Sequence, residues 1–510
     1  MMEAGGRARE GQGRDGRGHR SRKHGERVRT REMQVKSVLV MGDGLAGLCA
    51  AWRLAELGFR VMLVGNAGMG EAPRSGEWVP GAGPFGLVLP SCQNFLDLLG
   101  QLGTLSCLEW VSWEILLPGK DGGGSQSYRA FRASPGGLAR MLLPRGGPGS
   151  WAGWIRSVEV ILAALGLNPE GEGAARYRLR GERPSGAEPP FLHPLAAALL
   201  LSYPFLPSPR AAANLLRMLL GGGEEPVAGM ATCQPRELWE VPLREELEKE
   251  GVLLLPRTGA MRLELEGDRL RRAILGNGEV VEADAFVSSL PPRGLAAILP
   301  REALRLVPFH VLERIPLGRL LLLRLSTGRE AGVGNASAVP GIVTAERPRP
   351  IFTLLAGRGS RSELLAAYHP EGSAPHLQEP GMESPGRDRP GECPVLPGEL
   401  LPGQPGMDDF SLEVTPDTWE GISLLPGVPG MLPGTRTSLR NLYLCGDWVR
   451  SPFLSFPLEG SVWTANRCVE LMALDLLGKG LPVNRVNEPP RPRSFTSPTG
   501  RNPGHRFPGP

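Results

Sequence analysis

Cysteine is scarce and scattered in this chain of 510 residues: it has seven, none in a Cys-x-x-Cys pair or a Cys/His cluster at metal-ligand spacing. The sequence therefore predicts no disulfide framework and no metal site. Long apolar runs are also missing: the longest, 194–206 with a break at Ser202, is too short to cross a bilayer, and the N-terminal residues lack the apolar stretch of a signal peptide. We accordingly expect a cytoplasmic protein, and leave open a peripheral contact with a membrane.

Positive charge is concentrated at the two ends, so the net charge of +4 conceals an acidic body. Residues 1–32 hold ten Arg or Lys against five acids, and residues 485–510 hold five against one. The body, 33–484, therefore has a net charge of −5, which implies no basic face and argues against nucleic acid as a partner. Because the basic N-terminal segment lacks apolar periodicity, we predict that it and the C-terminal segment are disordered tails.

Aromatic residues make up only 6% of the chain, whereas glycine and proline are abundant, with 70 and 51 residues. So many residues that interrupt regular structure exclude a fibrous or all-helical protein. The hydrophobic content of 41% and the length still allow two or three globular units. Residues 370–406 consist mainly of Pro, Gly, Glu and Ser, a composition that predicts a flexible surface insertion.

The first strongly patterned segment predicts a strand, a glycine turn, a helix and a second strand. The β-rich run 35–41 leads into Gly42, Gly44 and Gly47, followed by a helical pattern and the apolar run 59–64. Gly42 permits a tight turn, Gly44 lets the backbone approach a pyrophosphate, and Gly47 lets the helix pack closely on the strand. Because the helix N-terminus offers free N–H groups and the positive end of a dipole, this unit predicts dinucleotide binding.

A three-stranded antiparallel meander is predicted between residues 261 and 290. Alternating apolar runs are separated there by Gly267-Asp268 and by Asn277-Gly278, and an Asn-Gly pair between such runs is a strong hairpin signal.

The C-terminal part carries a second motif. A strand over 441–445 enters Gly446-Asp447-Trp448, and Pro457-Leu458-Glu459-Gly460 leads into a helix. A carboxylate at the carboxyl end of a strand can accept hydrogen bonds from hydroxyl groups. The N-terminus of the following helix can stabilise negative charge on a ligand.

The glycine turn, the Gly-Asp-Trp motif and the Glu-Gly helix start together resemble the flavin signatures of the FAD-dependent amine oxidase and phytoene desaturase superfamily. The stretch 424–434 that leads into the second motif is most similar to the squalene and carotenoid branch, which includes hydroxysqualene dehydroxylases and carotenoid desaturases. The resemblance implies an α/β fold: a Rossmann-like FAD-binding domain with an antiparallel β-meander, plus a mixed α+β substrate domain. It also implies that FAD is the cofactor.

By this resemblance, Asp447 binds the ribityl chain of the flavin, the turn at Glu459 and Gly460 starts a helix facing the pyrimidine end of the isoalloxazine, and adenine meets the backbone near Met261. The residues expected to bind the cofactor are Gly42, Gly44, Leu45, Ala46, Gly47, Asn66, Arg74, Met261, Gly446, Asp447, Glu459 and Gly460.

The expected domains alternate along the chain. The FAD-binding domain is assigned to 33–115, 245–300 (the meander and return strand) and 420–484, and the substrate domain to 116–244 and 301–419.

The sequence departs from the superfamily pattern at the adenosine end of the cofactor. Gly65 stands where a ribose-binding acid is usual, with Asn66 as a substitute through its amide oxygen. The Gly-Gly-Arg clamp of the pyrophosphate is replaced by the longer stretch 68–74, in which Arg74 could take over the contact. No catalytic acid or base is identified, since His310 and the other lone histidines lack a carboxylate or nucleophile pattern beside them.

The leading functional hypothesis is an FAD-dependent oxidoreductase of the desaturase or dehydroxylase kind. It would act on a small apolar isoprenoid, of carotenoid or squalene type, by hydride transfer to or from the flavin. Two alternatives stay open. One is a flavin amine oxidase, and the other is a non-catalytic protein of the same fold that binds FAD or an isoprenoid.

Overall fold

The computed structural model describes the chain in stretches separated by gaps. The described stretches are 35–65, 88–112, 114–118, 128–132, 208–220, 227–233, 236–255, 258–327, 341–345, 351–358, 361–368, 410–413, 418–425, 427–478 and 480. The predicted tails, 1–32 and 485–510, and the predicted insertion 370–406 lie outside the described residues.

Strands outnumber helices in these stretches. The strands are β1 (Ser37–Met41), β2 (Arg60–Val64), β3 (Leu108–Ser112), β4 (Glu114–Pro118), β5 (Tyr128–Arg132), β6 (Val227–Ala231), β7 (Leu253–Leu255), β8 (Ala260–Glu266), β9 (Arg269–Leu275), β10 (Val280–Glu282), β11 (Ala285–Ser288), β12 (Leu317–Thr327), β13 (Gly341–Ala345), β14 (Ile351–Arg358), β15 (Arg361–Tyr368), β16 (Phe410–Glu413), β17 (Thr418–Ile422) and β18 (Leu442–Leu444). The α-helices are α1 (Leu45–Glu56), α2 (Gln93–Gln101), α3 (Pro209–Leu220), α4 (Val241–Lys249), α5 (Pro292–Ile298), α6 (Val428–Met431) and α7 (Pro457–Leu477). Shorter 3-10 turns lie at Leu105–Cys107, Ala303–Arg305 and Phe309–Arg314, and a π turn at Arg236–Glu240 runs directly into α4.

A five-stranded parallel sheet forms the centre of the fold, in the order β18–β11–β1–β2–β7. The apolar residues of β1 suit a central strand because they are buried on both faces of the sheet. Val38 and Val40 share a core with α1 and α7, whereas Leu39 and Met41 share a second core with the meander and α5. The sheet is therefore the middle of three layers, and its carboxyl edge collects the segments that follow each strand.

The predicted unit of strand, glycine turn, helix and strand is present as β1, α1 and β2. The two strands pair in parallel from Ser37 opposite Arg60 to Met41 opposite Val64. α1 begins directly after the glycine turn, and Gly58, with a φ of +83°, follows its end. Leu48 and Leu54 are fully buried, which gives α1 the apolar face that holds it against the sheet.

The predicted meander is also present, as the antiparallel strands β8, β9 and β10. Its two turns contain Gly267 and Gly278, with φ of +64° and +84°, a backbone region that favours glycine. Asn441, next to β18, fixes the meander to the parallel sheet: its side chain accepts a hydrogen bond from Leu270 N–H and donates one to Leu270 C=O, both at 2.8 Å.

A second, larger sheet has eight strands in the order β16–β12–β15–β14–β13–β4–β5, with β17 also paired to β12. It is mostly antiparallel, although β13 and β4 pair in parallel, and β3 and β6 form a separate two-stranded ribbon. A parallel sheet with a meander and a second mixed sheet confirms the predicted α/β fold class. All strands of the parallel sheet fall within 33–115, 245–300 and 420–484, and the division into two domains stays a prediction.

Candidate functional site: the carboxyl edge of the parallel sheet

The glycine turn between β1 and α1 has no room for larger residues. Gly42 has a φ of +103°, and a Cβ built on it would lie 2.5 Å from Ser289 Oγ. A Cβ on Gly47 would lie 2.0 Å from the carbonyl oxygen of Gly42. In contrast, a Cβ on Gly44 would meet no atom of the described chain within 4 Å, so open space lies in front of this residue. Gly42 and Gly47 therefore shape the turn, and Gly44 faces the space that a ligand could use.

The N-terminus of α1 presents unused hydrogen-bond donors to that space. Gly44 is the N-cap and provides no side-chain cap, and the first turn contains no acidic residue. The first hydrogen bond to the Gly44 carbonyl comes from Leu48 N–H at 3.0 Å, which leaves the N–H groups of Leu45, Ala46 and Gly47 without acceptors inside the helix. Such groups bind anions, and phosphate in particular.

Ser289, which sequence reasoning did not single out, holds the turn from the end of β11. Its hydroxyl lies 3.0 Å from the carbonyl oxygen of Gly42 and 3.3 Å from that of Met41, and its N–H donates to Met41 at 2.9 Å. A hydroxyl has one hydrogen, so the two carbonyl groups share it. The signal in the sequence was the polar Ser-Ser pair between the apolar return strand and Pro291.

The second motif lies on the same edge, after β18. Gly446 has a φ of +133°, and its N–H donates to Thr464 Oγ1 of α7 at 2.9 Å. Asp447 follows, partly exposed; burial raises the pKa of its carboxyl, while the backbone N–H groups of Asp447 itself and Trp448 lower it. Its carboxylate thus stands at the strand end, where the sequence predicted an acceptor for hydroxyl groups.

Two buried polar atoms near this motif have no hydrogen-bond partner among the described residues. One is the indole Nε1 of Trp448, which lies 3.2 Å from the position of a Cβ built on Gly446, and the other is the hydroxyl of Ser288 at the end of β11. Buried polar groups normally have partners, so an incoming ligand with acceptor atoms would suit this part of the edge.

Glu459 lies in the first turn of α7, as its motif predicts, and its side chain contacts α2. Its fully buried carboxylate accepts hydrogen bonds from the N–H groups of Asn94, at 3.0 Å, and Phe95, at 2.9 Å, and from the Asn94 side chain. It therefore caps the N-terminus of α2 and joins this helix to α7. Burial raises the pKa of Glu459 to about 7 despite these donors. Any effect of Glu459 on a cofactor would come from fixing the start of α7.

Gly460 allows a close approach at the same helix start, because a Cβ on it would lie 3.2 Å from the carbonyl oxygen of Phe453. Met261 lies at a register shift between β8 and β9, where Ala260 and Arg262 pair with adjacent residues and Met261 has no partner. This is the pattern of a β-bulge, and it leaves the backbone of Met261 free of the ladder. Asn66 and Arg74 lie outside the described residues.

The geometry fits an extended dinucleotide such as FAD. β11 separates β1 from β18, so the two strands that lead into the glycine turn and into the Asp447 motif lie about 10 Å apart, twice the usual strand spacing. Phosphates would bind at the start of α1, and the hydroxyls of a ribityl chain would reach the carboxylate of Asp447. Within the described residues no group of three or more His, Cys, Asp or Glu is placed to hold a metal ion. None of the described helices has both the length and the apolar character of a membrane span.

Comparison with known proteins points to one superfamily. No protein-family model matches the chain. A chloroplast and chromoplast 15-cis-phytoene desaturase from Narcissus pseudonarcissus is 24% identical over 309 residues, which cover 54% of this chain and 51% of that protein. The corresponding enzyme of an Oncidium hybrid cultivar is 22% identical over 86% of this chain and 78% of its own length. The first match thus spans about half of the plant protein.

Among solved structures, cyclohexylamine oxidase from Brevibacterium oxydans superposes with a TM-score of 0.56 at 13% identity, over 87% of this chain and all of that one, 100%. This likeness shows a shared fold. The chain thus resembles the phytoene desaturases in sequence, and it shares the fold of a flavin amine oxidase. The predicted resemblance to the superfamily and the predicted fold class are confirmed.

Proposed function

We propose that this chain binds FAD along the carboxyl edge of the parallel sheet and oxidises a small apolar isoprenoid of carotenoid or squalene type. The observation that carries the proposal is the pairing, on one edge and two strands apart, of an uncapped glycine turn with the carboxylate of Asp447. The two phytoene desaturases support the isoprenoid class of substrate. FAD, when bound, would supply the hydride chemistry.

Each part of the edge has a task in this proposal. The N–H groups of Leu45, Ala46 and Gly47 bind the diphosphate, and Asp447 accepts hydrogen bonds from the ribityl hydroxyls. The backbone of Met261 meets the adenine. Asn66 and Arg74 stay predictions for the ribose and the diphosphate. The larger sheet, in the segments expected for the substrate domain, would shield the reacting carbon from water.

The flavin amine oxidase alternative is favoured by one observation, the fold shared with cyclohexylamine oxidase. Purified protein with bound FAD, mixed without oxygen with either a long-chain polyene or a primary amine, separates the two. We expect the polyene to bleach the visible absorbance of the flavin by reducing it. Bleaching by the amine alone would refute the isoprenoid proposal, and no bleaching by either would favour the non-catalytic alternative.

Peripheral contact with a membrane also stays a prediction. It is supported by two exposed apolar residues, Leu306 and Val307, which follow Arg301 and Arg305. Apolar side chains beside basic ones suit an anionic lipid surface.

The cofactor proposal is tested by a matched pair of variants. Asp447→Ala removes a charge-assisted hydrogen bond and should weaken FAD binding about 10- to 150-fold in titrations of apo-protein. Asp268→Ala removes an acid that pairs with Arg440 at the surface of the meander, and should leave the affinity unchanged. Heat release followed by mass measurement identifies the bound cofactor. Equal affinity in Asp447→Ala and wild type, or recovery of only NAD, would contradict the proposal.

A further inference from the structure

Arg244 of α4 reaches the glycine turn from another part of the chain. Its Nη2 lies 3.0 Å from Oδ2 of Asp43, the residue between Gly42 and Gly44, and its Nε lies 3.2 Å from Oε1 of Glu240. Both side chains of the first pair are about three-quarters buried, with 25% and 27% of their surface exposed. The contact joins residues that are 201 positions apart.

Asp43 is an unfavourable residue to find in a turn that receives phosphates. A carboxylate next to Gly44 lies beside the N–H groups that would bind the diphosphate, and like charges repel strongly where water is partly excluded. The ion pair with Arg244 cancels this charge. Glu240, the second acceptor of Arg244, is in turn paired with Arg236 at 3.3 Å, so the four side chains are neutral as a group.

We infer that Arg244 is a positioning residue of the cofactor site, which neutralises Asp43 and so allows the glycine turn to accept the diphosphate of the dinucleotide. This inference rests on the proposed binding of FAD. The alternative is that the ion pair is only a tether between α4 and the turn. The two can be separated, because a tether fails when either partner is removed, whereas a neutralised charge is harmless when it is itself removed.

The test is a titration of apo-protein with FAD for wild type, Arg244→Gln, Asp43→Asn and the double variant. Arg244→Gln exposes the charge of Asp43 and should weaken binding about 10- to 100-fold. Asp43→Asn should bind at least as tightly as wild type, and the double variant should recover to within about threefold of wild type. Because exposed charges are screened by salt, the defect of Arg244→Gln should shrink as the salt concentration rises.

Arg236→Gln is the matched control, since it removes the same charge from the adjoining π turn and breaks an ion pair with the same Glu240 without touching Asp43. It should bind FAD like wild type. Circular dichroism verifies that each variant is folded. If Arg244→Gln is not folded, the FAD affinity of Asp43→Asn decides. Affinity equal to or higher than that of wild type supports the neutralisation of Asp43 by Arg244, and lower affinity refutes it.

Different results would refute the proposed binding of FAD and the proposed role of Arg244. If wild type binds no FAD, the proposed function is wrong and the role of Arg244 with it. If wild type binds FAD and Arg244→Gln binds equally well, or if the double variant is as weak as Arg244→Gln, only the role of Arg244 is wrong.

Discussion

Glu459 should give the protein a pH-dependent stability that one substitution removes. Its carboxyl is fully buried at the junction of α7 and α2, and burial raises its pKa from 4.5 to about 7. The donors of Asn94 and Phe95 lower the pKa, and the charge of Asp97 raises it. In the unfolded chain the carboxyl regains its ordinary pKa.

The direction of the pH dependence follows from the number of protons that the folded and the unfolded states bind. Between pH 4.5 and about 7 the folded protein keeps a proton on Glu459 that the unfolded chain has lost, so the free energy of unfolding falls as the pH rises. A difference of about 2.5 pH units, at about 1.4 kcal/mol per unit, amounts to about 3.5 kcal/mol. This stabilisation is fully present below pH 4.5 and is lost as the pH passes through 7.

The measurement is urea unfolding, followed by tryptophan fluorescence, at several pH values between about 5 and 8 for wild type and Glu459→Gln. As the pH rises from about 5 to about 8, the free energy of unfolding of Glu459→Gln should increase by about 2 to 3 kcal/mol relative to that of wild type. Glu470→Gln removes a carboxylate paired with Arg467 on the same helix. Its free energy of unfolding should change with pH as that of wild type does. If that of Glu459→Gln did the same, the reasoning on burial would be refuted.

Two other substitutions test how the turn and the meander are held. Gly47→Ala should destabilise the fold by about 3 kcal/mol, because its Cβ would lie 2.0 Å from the Gly42 carbonyl oxygen. Gly100→Ala, in α2 with open space around it, should instead stabilise the fold by about 0.5 to 1 kcal/mol. Thermal unfolding of both variants measures this contrast, and equal shifts of the midpoint would refute it. Asn441→Ala leaves the N–H and C=O of Leu270 without their partner and should cost about 3 kcal/mol in urea unfolding, so a loss below about 1 kcal/mol would show that the meander does not depend on this contact.

The local parts of the fold could be predicted because they depend on residues close together in the chain. Gly42 and Gly47 specify a turn that nothing larger fits, and Asn277-Gly278 specifies a hairpin. The order of the parallel strands could not be predicted in this way. β18 pairs with β11 across residues 289–441, and this pairing is decided by which faces the helices and the meander cover.

The candidate site was predicted where one segment carries the chemistry and missed where two distant segments meet. Ser289 and Arg244 contact the turn from 247 and 201 positions away, and no periodicity connects such residues. An indirect signal existed for Arg244, since an acid within a turn that is predicted to bind phosphate favours a cation nearby. The carboxylate of Glu459 is another long-range contact that the sequence does not predict, because it binds α2, 365 positions away. The role of Glu459 at a flavin stays a prediction.

The packing of α1 on α7 explains why the two halves of the site can act together. α1 and α7 share one core, in which Ala465 and Cys468 of α7 are fully buried, and Cys445 Sγ, after β18, lies 3.8 Å from the carbonyl oxygen of Ala46 in α1. Burial raises the pKa of the Cys468 thiol well above its ordinary value, so it stays protonated and packs as an apolar group. Since α1 starts at the glycine turn and Thr464 of α7 binds Gly446, this core fixes the distance between the N–H groups at the start of α1 and Asp447. The separation that a bound dinucleotide would span is therefore set by the core, before any cofactor arrives.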